Sequence, residues 1–70
     1  MEDFVKRMIA EKEELKERID GINNFIESDK YDDLTDDESD LLYEQLECMI
    51  KYLKVLSGRI GLYITKEDIK

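Results

Sequence analysis

The sequence predicts an all-α protein: an antiparallel two-helix hairpin with a short C-terminal tail, assembling into a homo-oligomeric helical bundle. Three observations carry this expectation. Apolar residues recur at alternating spacings of four and three along two long segments, the signature of one helix face. A short acidic stretch with a helix-start signature separates them. Seventy residues form only a small core, and the usual staples are missing: one cysteine permits no internal disulfide, and without histidine the common zinc arrangements are out of reach. Sharing the core between chains is the remaining route to stability.

The first helix is placed at about residues 2–28. Met1, Val5, Met8, Lys12, Leu15, Ile19, Ile22 and Ile26 form its stripe, which only Lys12 interrupts. That lysine is read as running its ammonium out to water from an apolar seam. Glu2 with Lys6, Asp3 with Arg7, and Glu14 with Arg18 stand four apart on the polar side, each pair contributing roughly 0.2–0.5 kcal/mol. Gly21, followed by Asn23 and Asn24, weakens the last turns, since glycine costs about 1 kcal/mol inside a helix.

An acidic turn follows at about 29–35. Residues 27–40, ESDKYDDLTDDESD, hold Glu27, Asp29, Asp32, Asp33, Asp36, Asp37, Glu38 and Asp40 against the single Lys30. The other fifty-six residues carry eleven acids and ten bases, so nearly all of the net charge of −8 is local. Thr35 and Glu38 have capping-box spacing. Asp36, Asp37 and Glu38 then fall in the first helical turn, where the helix dipole favours negative charge by about 0.3–1 kcal/mol each. Glu27, Asp29, Asp32 and Asp33 gain nothing from that dipole.

The second helix is placed at about 36–60. Leu42, Leu46, Met49, Leu53, Leu56 and Ile60 repeat the core spacing. A further stripe at intervals of seven, Leu41, Cys48, Val55 and Leu62, with Tyr43 and Ile50 on the other flank, exceeds what one antiparallel neighbour covers. These six residues are the expected self-association surface. Cys48, set between apolar neighbours, reads as a buried structural thiol. Gly58 and Gly61 mark a possible helix end and the start of a tail at 61–70, where Thr65 and Asp68 could cap a last turn and Ile69 adds apolar surface.

Composition narrows the function classes. A charge-balanced body with one acidic end disfavours nucleic acid as a direct partner and favours a basic protein surface or a cation. The aspartates miss the calcium-loop pattern: counted from Asp29, the third position is Tyr31 and the sixth is Leu34. No metal and no cofactor are expected. A two-helix hairpin offers paired carboxylates no enclosing cleft, which argues against an enzyme. The segment MEDFVKRMIAEKEE is charged from its second residue, and no long uncharged run follows, so a cytoplasmic location without membrane contact is expected.

Phe4, Arg7, Glu11, Glu14 and Leu15, then Phe25, Ile26, Ser28, Lys30 and Tyr31, then Leu41, Leu42, Gln45, Leu46, Met49, Tyr52, Leu56, Arg59 and Ile60 form an ordered pattern over residues 4 to about 60. In this pattern the chain resembles small uncharacterised helical-hairpin proteins of tailed bacteriophages and prophages, including a group related to a crAss-like phage protein. The resemblance implies a non-enzymatic accessory role in the cytoplasm of a bacterial host. The function expected is that of an anti-defence inhibitor of anti-CRISPR type, whose acidic residues 27–40 occupy the basic, nucleic-acid-binding region of a host protein. The alternatives are an oligomeric sponge that sequesters an anionic nucleotide signal through Arg7, Lys12, Lys51, Lys54 or Arg59, and a structural oligomer without ligand.

Overall fold

The computed structural model describes Asp3–Asp68, with side chains described up to Ile64. Met1, the Glu2–Lys6 pair and Ile69 lie outside the described residues, as do the side chains of Thr65 and Asp68. Helix α1 spans Asp3–Ile26, a 3-10 turn spans Asp29–Asp33, and helix α2 spans Asp36–Asp68. No strand occurs among the described residues.

α1 runs unbroken through Gly21, Asn23 and Asn24, because the apolar stripe on its other side anchors both ends. It ends two residues before the expected Ser28. There the backbone turns extended, at φ −88° and ψ 163°. Ser28 closes the last turn: its hydroxyl and its amide both donate to the Phe25 carbonyl, at 2.7 and 3.0 Å.

α2 begins where the capping box places it. The Thr35 amide donates to Glu38 Oε1 at 2.9 Å, and the Glu38 amide donates to Thr35 Oγ1 at 3.1 Å. Two amides that helix geometry leaves without partners are thereby satisfied. The far end differs from expectation. α2 continues through Gly58 and Gly61 to Asp68, so the tail expected at 61–70 is helical where it is described. Neither glycine opens a left-handed turn, since no glycine here has positive φ, and Gly61 and Ile64 are partly buried in the helix rather than solvated beyond it.

The helices are antiparallel: Phe4 near the start of α1 meets the Tyr63 ring near the end of α2, edge to face at 4.9 Å, and the chain reverses at the acidic turn. Val5, Met8, Leu15 and Ile19 of α1 are buried against Leu46, Leu56 and Ile60 of α2, with Ile9, Ile22, Ile26, Met49, Leu53 and Ile64 partly buried around them. Each side chain fully removed from water contributes about 1.5–3 kcal/mol. Among the described residues, Leu56 and Val5 reach that condition. Lys12 is partly buried in the seam.

The molecule measures 51 × 19 × 16 Å, with a radius of gyration of 15.8 Å. A globular chain of this length would have a radius near 11 Å. Two helices lying side by side leave both flanks uncovered, and the largest exposed apolar residues sit there.

Candidate functional site

Three surfaces stand out, and the fold positions each differently. The acidic surface is gathered at the closed end of the hairpin. Glu27 follows the end of α1, Asp29, Asp32 and Asp33 occupy the 3-10 turn, and Asp36, Asp37, Glu38 and Asp40 open α2, all of them exposed. The turn is held from within: Tyr31 packs edge-on against the Tyr43 ring at 6.2 Å, and its hydroxyl hydrogen-bonds the Ser39 hydroxyl. Glu38 is engaged in capping, and hydrogen bonding to its carboxylate from Thr35, the backbone amide first and the side chain second, holds its carboxyl below the ordinary carboxylate range. No basic residue stands in the last turn of α1 to offset Glu27. Among the described residues, no group of three histidine, cysteine or carboxylate side chains is placed to hold a metal ion.

The second surface is the heptad stripe. Leu41, Val55 and Leu62 are 66%, 60% and 66% exposed, and Cys48 is exposed with them. α1 does not supply the burial expected for Cys48. Its stripe lies about a third of a turn around α2 from the Leu46–Met49–Leu53 seam, so α1 does not reach it. The six residues of the expected self-association surface lie on two flanks, as their spacing implies. Tyr43 and Ile50 lie on the opposite flank, with Tyr43 engaged by Tyr31, while Tyr52 and Tyr63 stand beside the stripe. The Tyr52 hydroxyl donates to the Glu11 carboxylate across the helix pair. That bond, then partial burial, raises the Tyr52 pKa, against the lowering influence of Arg59.

The third surface lies between the helices near the acidic end. It is a groove of about 320 Å³ lined by Arg18, Gly21, Ile22 and Phe25 of α1 and Leu42, Gln45 and Met49 of α2. A second groove, lined by Phe25, Leu34, Glu38, Leu41, Leu42 and Gln45, continues it toward the acidic turn. The walls are largely apolar and include the Phe25 ring, while Arg18 and Gln45 supply one cation and one amide. Gly21 helps to open it. A Cβ placed there would meet no atom within 4 Å, so the missing side chain leaves free space in the wall. Chemically, such a groove can stack a planar group and pair one anion.

Nothing in the spacing of these groove residues brings them together: Arg18 stands four from Glu14 as an ion-pair partner, and Phe25 and Gln45 lie on different helices. Gly21 was the available signal: a helix-interior glycine at no turn leaves a gap on one face.

A family model described as Sequestin matches residues 2–62. No curated protein and no solved structure matches the chain.

Proposed function

We propose that this chain, which belongs to the Sequestin family, acts by sequestration, binding its target without converting it. The target is a small anionic nucleotide signal, held in the groove between α1 and α2. The groove carries this reading: its volume suits a small ligand, Phe25 offers a stacking face for a base, and Arg18 and Gln45 offer a cation and an amide for a phosphate. The cations named from sequence, Arg7, Lys12, Lys51, Lys54 and Arg59, do not line it; Arg18 takes their place. The family's name favours sequestering over catalysis. The bacterial cytoplasm and the phage or prophage setting belong to this same proposal.

A second reading keeps one observation in its favour. Asp29, Asp32 and Asp33 are exposed and lie before the first turn of α2, so helix capping does not account for them. They suit an inhibitor that occupies a basic host surface.

One set of variants separates the two. In calorimetric titrations with a panel of cyclic mono- and dinucleotides, Arg18→Ala should lose binding. The quadruple change of Asp32, Asp33, Asp36 and Asp37 to Asn should retain it. Nucleotide released by denaturation should be recovered intact. No binding by any nucleotide, together with capture of a basic host protein that the quadruple variant fails to capture, would transfer the function to the acidic surface.

A further inference from the structure

The exposed side of α2 has an order that neither the core nor the groove explains. From Asp36 to Glu47 the helix carries six acids and no base, and from residue 48 to residue 64 it carries Lys51, Lys54 and Arg59 and no acid. Along the same side, Leu41, Cys48, Val55 and Leu62 repeat every seven residues and are exposed. A strict seven-residue apolar repeat is what one helix presents to another along a shared seam. A seam whose charge reverses at its middle is complementary to itself only when the two helices run in opposite directions.

We infer that this side of α2 pairs with the same side of α2 in a second copy, antiparallel and centred on Cys48. In that register Leu41 lies opposite Val55 of the second copy, Cys48 opposite Cys48, and Glu44 beside Lys51. The flanks follow the same rule, since Asp40 falls near Lys54 and Glu38 near Arg59. Each contact except Cys48–Cys48, which lies on the axis, occurs twice, because a two-fold interface is isologous. A parallel pairing would set Glu44 against Glu44 and Lys51 against Lys51, and like charges across a seam select against that arrangement. In this register the paired apolar seam runs from Leu41 to Val55, about 21 Å, and closing it covers most of the apolar stripe that α1 leaves open. The pairing also carries Arg59 of the second copy toward Glu38, at the rim of the second groove.

Light scattering of the purified protein should give twice the chain mass at low salt. Glu44→Lys and Lys51→Glu should each weaken association by about tenfold or more, and the double exchange should restore it. Cysteine cross-linking fixes the direction. In a Cys48→Ala background, Leu41→Cys and Val55→Cys chains should form a disulfide with each other when mixed and oxidised, and neither should do so alone. A monomer at all accessible concentrations would overturn the inference, as would Leu41→Cys chains that cross-link only to themselves. Neither readout depends on what the groove binds.

Discussion

At the residue scale, the reciprocal pair Thr35–Glu38 shows how one local signature fixes a chain reversal. Thr35→Ala removes the acceptor of the Glu38 amide and should cost about 0.5–2 kcal/mol in chemical denaturation. The charge on Glu38 contributes in its own right. Its folded-state pKa lies below the unfolded value, so its stabilisation is present above the ordinary glutamate pKa, about 4.3, and is lost as pH falls through the folded value. Acid titration followed by circular dichroism should therefore show a steeper loss below about pH 4 for the wild type than for Glu38→Gln. Tyr52 has the opposite sign. Its pKa is raised, so the Tyr52–Glu11 bond stabilises below the ordinary tyrosine pKa, about 10, and is lost as pH rises through the folded value. Tyrosinate absorbance should show two late-titrating hydroxyls, Tyr43 and Tyr52, of which Tyr52→Phe removes one.

At the element scale, the two helices draw their stability from different places. α1 exposes its polar side fully and depends on Val5, Met8, Leu15 and Ile19, whereas α2 contributes the fully buried Leu56. Leu56→Ala should destabilise the hairpin by about 2–5 kcal/mol, a large share for a domain of this size. Gly21 gives the contrary case. Its added Cβ would meet open space and its φ is not positive, so Gly21→Ala should stabilise α1 by about 1 kcal/mol in thermal unfolding. A bulkier Gly21→Leu should fill the groove, leaving a folded helix that no longer takes a nucleotide. If that variant binds as well as the wild type, the groove is not the site.

At the scale of the whole molecule, shape governs function. A hairpin 51 Å long and under 20 Å across cannot enclose a ligand from all sides, so its surfaces act as platforms or as halves of larger sites. Three surfaces share this one rod: the acidic end, the heptad side and the groove. No helix among the described residues is long and apolar enough to cross a membrane. Raising salt should weaken association of α2 with a second copy, because its flanking charges are exposed and screened over about 8–10 Å. Sedimentation at low and high salt would measure it. An unchanged dimer at high salt would mean that the apolar stripe alone suffices.

Much of this was legible in the sequence, because local chemistry decides it. The four-three spacing marked Val5, Met8, Leu15, Ile19, Leu46, Leu56 and Ile60 as core, since helix geometry turns spacing directly into a face. Thr35 and Glu38 marked the start of α2, since a cap is complete within four residues. The end of α2 was not legible: Gly58 and Gly61 are usual punctuation, but packing of Ile60 and Ile64 outweighs their weak propensity. The exposure of Cys48 within one chain was not legible for a related reason, since spacing gives a residue's direction on its own helix but not the width that a neighbour covers. The groove belongs to the tertiary structure altogether. Arg18, Phe25 and Gln45 are far apart or unremarkable in the chain, and only the crossing of two helices beside the gap at Gly21 places a cation, a ring and an amide around one space.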